Sequence, residues 1–381
     1  MEIILDTNVI NGDLLLKGLD LKKLCITARE NDHTLYIPKV VLMEMEKHYD
    51  QALRESYKQT ERGANIFEKL TESNVKRLVT IKELDSYASN YPKVLHKRMK
   101  ELGIEILPIP RDNDATIINK AVHRKKPFKE NGVGYPDALL WHTILQKAKK
   151  FSGDRTVSSP RIIFITDNHN DFCKSADCEL HSDLIEDLEE DEINPVAIKI
   201  VKKIEEAFKM LYVKPDITLT KDIAKFLSSR NFNSTDFYKD IVDRVMKLLP
   251  YRAFESDEVG LPDSFESPTI DMFEEDFKFE LQTIDVLDKE QVSIKWSMSV
   301  TCLLDIYIPK SDLGYFENNS PIVYNYDWND HYVAAQQWKN IWFDVEAIAD
   351  NRLQTVENLE IEINEDRNQP PERKSRRNDL D

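Results

Sequence analysis

Four acidic side chains stand where a charge is out of keeping with its neighbours. Asp6 closes the apolar run Ile3-Ile4-Leu5 and is followed by Thr7 and Asn8. Glu44 lies inside Val41-Leu42-Met43-Glu44-Met45. Asp137 follows Pro136 at the head of the apolar stretch Ala138-Leu139-Leu140-Trp141. Asp171 ends the polar string Thr166-Asp167-Asn168-His169-Asn170-Asp171, which follows a second apolar run, Ile162-Ile163-Phe164-Ile165. Each residue alone has a plain reading. Asp6 is a solvated turn residue, Glu44 the rim of an amphipathic helix, and Asp137 a first-turn acid answering free amides and the helix dipole. A charge at the end of a buried strand is costly, however, unless it is paired or bound to a metal. Clustered carboxylates repel one another and are stable chiefly around divalent cations. An all-oxygen donor set calls for a hard ion, Mg²⁺ or Mn²⁺. Two such ions about 3.5–4 Å apart suit phosphodiester hydrolysis, one activating water and the other stabilising the leaving oxygen.

The elements that would bring these acids together are legible in outline. Residues 3–5 and 161–166 read as buried parallel strands, and residues 34–37 and 102–110, the latter ending at a proline corner, as further strands. Pro38 opens a helix carrying Glu44, and Pro136 opens one carrying Asp137. Strand and helix alternate through residues 1–185, which predicts a parallel sheet with helices on both faces. In such a sheet, ligands sit beyond the carboxyl ends of the strands, where Asp6 and residues 166–171 fall. Residues 50–83 read as a long polar helical arm, and residues 195–250 show helical periodicity. Beyond Pro250 the pattern changes to period two, as in residues 292–308, 342–348 and 356–363, which predicts an antiparallel β domain with one wet face. The expected organisation is therefore a catalytic domain over 1–190, a helical connector over 191–250, a β-rich accessory domain over 251–364 and a disordered charged tail over 365–381.

The first 180 residues hold 29 Lys and Arg against 26 Asp and Glu, while the rest hold 23 against 43. The formal net charge of -17 thus comes from the C-terminal part, and only the N-terminal part suits a polyanion. Arg124, Lys125, Lys126 and Lys129 form a dense basic cluster just before Asp137. They are either a solvated helix end or contacts to substrate phosphates, which position a strand without reading its sequence. No apolar run is long enough to span a membrane, and no basic-then-apolar leader opens the chain. Four scattered cysteines make no disulfide framework, so a reducing, cytoplasmic setting is expected.

Ile3-Ile4-Leu5-Asp6-Thr7-Asn8 resembles the first motif of PIN domains, and Ile37-Pro38 through Glu44 resembles the second. Asp137-Ala138-Leu139-Leu140-Trp141 is similar to the third, and Thr166-Asp167-Asn168-His169-Asn170-Asp171-Phe172 to the fourth. The Lys125-Lys126-Pro127-Phe128 segment resembles a larger bacterial subgroup of the family. The resemblance implies a metal-dependent endoribonuclease with a compact α/β sheet, with Asp6, Glu44 and Asp137 as metal ligands. It leaves the fourth position to Asp171, with Asp167 in reserve, because Asn168 stands where many relatives carry an acid. Thr7, Asn8, Thr166 and Asn168 would orient carboxylates or water. RNA is the implied substrate. A structure-specific DNA nuclease is the alternative within enzymes, and a catalytically silent scaffold acting through the β domain is the alternative outside them. The acidic C-terminal part is expected to regulate activity, through self-association or a protein partner, and analogy offers stress or phage defence as the setting.

Overall fold

A computed structural model of the chain describes residues 1–369 apart from 78, 112–113, 155, 175–177, 213–216, 230–234, 275 and 316–320. The chain divides into two compact units, Met1–Val213 and Lys214–Asp381.

The N-terminal unit begins with β1 (Glu2–Leu5), α1 (Thr7–Ile10) and α2 (Leu19–Glu30), then β2 (Thr34–Pro38) and α3 (Lys39–Thr71). It continues through α4 (Ile81–Leu102), β3 (Ile104–Leu107), α5 (Asp114–His123), α6 (Tyr135–Ala148) and β4 (Ile162–Ile165). It closes with α7 (His169–Phe172), α8 (Ser182–Glu190), β5 (Ile198–Val201) and α9 (Ile204–Leu211). The five strands form one parallel sheet in the order β3-β2-β1-β4-β5. Central strands of such a sheet are covered on both faces, which is why β1 and β4 are unbroken apolar runs rather than alternating ones. Ile3, Ile4, Leu5 and all four residues of β4 are fully buried. Each such side chain contributes roughly 1.5–3 kcal/mol relative to exposure. After β1 the chain builds outward to β3 on one side, then returns to lay β4 and β5 on the other. The order therefore reverses between β1 and β4, and a crevice opens at their carboxyl ends.

Helix α3 has 33 residues, about 50 Å at the standard rise. Only Val40, Val41, Leu42 and Met45, in its first two turns, are buried. The remainder pairs with α4, where Tyr49 stacks on Tyr91 at 3.9 Å and Arg54 meets Asp85 at 3.1 Å. The arm expected over residues 50–83 is thus two helices, with α4 restarted by a Thr80/Glu83 capping box.

The region expected to be a helical connector is shared between the units. Ile198–Val201 is a strand, not a helix, and pairs with β4 from Ile162↔Ile198 to Ile165↔Val201. Its three β-branched residues are stiff at χ1 and suit a pleated surface, and Lys199 alone is exposed. The C-terminal unit begins with α10 (Ile217–Leu227) and α11 (Asp236–Leu248). Then come β6 (Glu266–Phe273), β7 (Lys278–Val286), β8 (Gln291–Pro309), β9 (Ile322–Asn325), β10 (Tyr332–Asp350), β11 (Val356–Ile363) and the short α12 (Glu365–Asn368). These strands form an antiparallel sheet in the order β11-β10-β8-β6, with β7 also on β8 and β9 on β10. Ile223, Phe237, Ile241 and Val245 of α10 and α11 share a core with Trp296, Met298, Val300 and Phe343 of β8 and β10. The tail expected to be disordered from residue 365 starts with α12. There Asn368 is buried, accepting from Trp342 N at 2.8 Å and donating to Trp342 O at 3.1 Å. Residues 370–381 of that expected tail lie outside the described residues. Among the described residues, no helix is long and apolar enough to cross a membrane.

Candidate active site

Asp6 leaves the end of β1 and caps α1, accepting from Thr7 N at 2.7 Å. Thr166, at the matching end of β4, donates its hydroxyl to the other Asp6 oxygen at 2.6 Å. That hydroxyl also accepts from Asn168 N at 3.0 Å and from Asn8 Nδ2 at 3.3 Å. With its one proton given to Asp6, Thr166 can only accept from the other two, so the network fixes its rotor. Asn8 closes the bridge between the strand ends by accepting from Asp167 N at 3.1 Å.

Glu44 reaches the same place from the second turn of α3, where it accepts a short hydrogen bond from the Thr7 hydroxyl. Asp137 comes from the first turn of α6 and accepts from Asn168 Nδ2 at 3.1 Å. Gly134 sets the start of α6. Its φ is +134°, and a Cβ there would stand 2.7 Å from the Pro127 carbonyl oxygen. Only glycine tolerates that conformation and that approach.

The field of the site shows in its acids. Burial raises Asp6 from its ordinary 3.8 to about 7, and the nearby Asp137 and Glu44 charges add to the shift. The bonds from Thr166 and Thr7 oppose it. Asp137 is raised to about 6, first by burial and then by Asp171 and Glu44, with Asn168 and Lys129 opposing. Asp6, Glu44, Asp137 and Asp171 are therefore near enough to feel one another. They are not drawn into a ligand shell. Among the described residues, no three His, Cys, Asp or Glu side chains form a group that could hold a metal ion.

The remaining expected residues are placed unevenly. Asp167 is exposed, and only its backbone is engaged, with Asn8 and with His169 Nδ1 at 3.0 Å. Asp171 is 1 % exposed and meets Lys129 Nζ at 3.0 Å and Lys126 Nζ at 3.6 Å. Neither of its oxygens receives a well-directed hydrogen bond. The basic cluster is partly committed inside the protein. Lys125 pairs with Glu186 at 2.8 Å, Lys126 donates to Asn170 O at 2.7 Å, and Arg124 donates to Ala121 O at 3.1 Å. Arg124, Lys126, Lys129, Asn131, Asn170 and Asp171 are among the residues lining an open groove of about 560 Å³.

Residues 3–172 match a family model described as PIN domain. Residues 3–172, most of the N-terminal unit, are a PIN domain. No curated protein and no solved structure matches the chain. The PIN fold is a nuclease fold, and PIN domains generally use divalent metals. The residues present fit such an ion chemically. The donors are carboxylates alone, burial first and then their mutual repulsion raise Asp6 and Asp137, and buried Asp171 is met by the Lys129 and Lys126 ammonium groups, cations where an ion would otherwise stand.

Several supports of this PIN domain were not anticipated. Lys120, 3 % exposed, pairs with Asp187 at 2.7 Å, and Trp141 Nε1 donates to the same carboxylate at 2.7 Å. Asp183 accepts from Lys126 N at 2.7 Å. The acidic run 183–191 thus supplies Asp183, Glu186 and Asp187 to anchor the segment that leads into Asp137. Helical spacing was the available signal, since Asp183, Glu186 and Asp187 lie on one face of α8.

Proposed function

We propose that this PIN domain is a metal-dependent endoribonuclease acting by two-metal-ion hydrolysis. Asp6, Glu44 and Asp137 are the residues that would hold the ions, with Asp171 as the fourth acid and Asp167 left in solvent. Bound Mg²⁺ or Mn²⁺ would supply Lewis acidity and a hydrolytic water at neutral pH. The chain's own contribution is orientation. Thr166 and Thr7 fix the Asp6 and Glu44 carboxylates, Asn168 fixes Asp137, and Asn8 ties the two strand ends together. Lys126 and Lys129 bring positive charge to the groove beside Asp171, where a phosphate backbone would lie, and Arg124 adds to it.

The observation that supports this reading is that Asp6 at the end of β1, Glu44 on α3 and Asp137 on α6 lie near enough for burial, and then the charges of the other two, to raise Asp6 to about 7. A scaffold has no need of such a group. The C-terminal unit has its own core and holds 34 Asp and Glu against 19 Lys and Arg, so we assign it to regulation or partner binding rather than to holding RNA. A mixed RNA pool is to be cleaved by the wild type with Mg²⁺ or Mn²⁺, with cleavage abolished by chelation and by Asp6→Asn. Equal behaviour of the two proteins refutes the nuclease reading. Cleavage of DNA but not RNA moves the assignment to the DNA-nuclease alternative.

A further inference from the structure

We propose that the open face of the C-terminal sheet binds a Lys/Arg-rich segment of a protein partner. One face of this sheet is closed by α10 and α11. Along β8, Leu304, Ile306 and Ile308 enter that core and are fully buried, so Leu303, Asp305 and Tyr307 point the other way. Opposite Leu303 stand Met272 on β6 and Trp338 on β10. Opposite Asp305 stands Gln336, and beyond it Ile322 on β9. A register shift between Ile270 and Met272 explains why Ile270 is buried while Met272, two residues on, is 50 % exposed. Trp338 is 46 % and Ile322 71 % exposed. At the far end of the same face Tyr307 stacks on Trp328, with ring centroids 5.0 Å apart, and Trp328 is 48 % exposed.

Single exposed apolar residues need no explanation, but a registered group spanning β6, β8, β10 and β9 does. Its chemistry selects the occupant. Asp305 accepts from Gln336 at 2.8 Å and from the Tyr324 hydroxyl, and Asp271 accepts from the same Gln336 amide at 3.3 Å. Two carboxylates are thus held among the rings, on a unit whose 34 acids outnumber its 19 bases. Aromatic faces attract cations, and the added carboxylates favour Lys and Arg. The same charge repels a phosphate backbone, which argues against base stacking by a nucleic acid. The proposal rests on the reading of the C-terminal unit as a partner-binding unit, and it uses nothing of the nuclease chemistry.

The test uses the full chain and a fluorescein-labelled Gly/Ser peptide bearing about six Lys and Arg residues, followed by fluorescence polarisation. Saturable binding is expected, weakened about tenfold or more by Trp328→Ala with Trp338→Ala. Met272→Lys, at an exposed position that can carry the charge without refolding the sheet, is expected to weaken it as well. Asp6→Asn, silent in cleavage, is expected to bind like the wild type, which separates this proposal from the nuclease reading. Unchanged affinity in the folded Trp and Met variants overturns the proposal. So does preferential binding of a labelled single-stranded oligonucleotide that these same variants abolish.

Discussion

Replacing Asp6 by Asn should stabilise the metal-free N-terminal unit, and by an amount that depends on pH. Burial first, then Asp137 and Glu44, raise Asp6 from 3.8 to about 7. A shift of about 3 units corresponds to about 4 kcal/mol. Because the folded value lies above the unfolded one, the carboxyl's contribution is fully present below pH 3.8. It declines as pH rises and is lost once pH passes about 7. Asn cannot ionise, so it escapes that decline. It also accepts only one of the two hydrogen bonds that Thr7 N and the Thr166 hydroxyl give to Asp6, a loss of about 1 kcal/mol. The variant should therefore exceed the wild type by about 3 kcal/mol at pH 8 and by only about 0.5 kcal/mol at pH 5. Hydrogen exchange of the β1 and β4 amides against urea, in chelator, isolates this unit from the C-terminal one. A gap of the same size at both pH values, or a less stable variant at pH 8, refutes the reasoning.

Two further substitutions test the supports of the site. Gly134→Ala places a Cβ 2.7 Å from the Pro127 carbonyl oxygen at φ +134°. It should cost about 2 kcal/mol or more in denaturant unfolding and displace Asp137, reducing cleavage at least about tenfold. Thr166→Val keeps the side chain's shape but removes the hydroxyl that donates to Asp6 and accepts from Asn168 N. Cleavage should fall about 10–100-fold and the unit should lose about 1–3 kcal/mol, since Asp6 and Asn168 N each lose a partner, and an unchanged rate would show that the hydroxyl does not orient the acid.

The N-terminal sheet was legible because its central strands are unbroken apolar runs that end in polar strings, a pattern few other elements produce. The long β8 and the strand at 356–363 were legible for a different reason, a period-two sequence pattern, although β8 itself presents no exposed residue, its alternate serines being buried as well. Strand β5 was not, because Ile198-Lys199-Ile200-Val201 is too short for its period to be told from the helical one of α9 that follows. Asp6, Glu44 and Asp137 stood out by their apolar neighbours, and all three lie over the β1/β4 strand ends. The surroundings of Asp171 did not stand out. The basic cluster reads in sequence as a solvated helix end or as contacts to phosphates, neither of which pairs it with acids of the same domain. Only folding shows that Lys126 and Lys129 face Asp171, and that α8 turns three acids onto the segment before α6. Partner choice between charges is set by tertiary proximity, which spacing along the chain does not encode.

The central claim is that the acids of this crevice hold divalent ions. An anomalous difference map from a crystal soaked in Mn²⁺ tests it most directly. The account predicts peaks bounded by Asp6, Glu44 and Asp137, with the Asp171 carboxylate adjoining one of them. A fully soaked crystal with no peak in the crevice, or with ions bound only elsewhere, would contradict it.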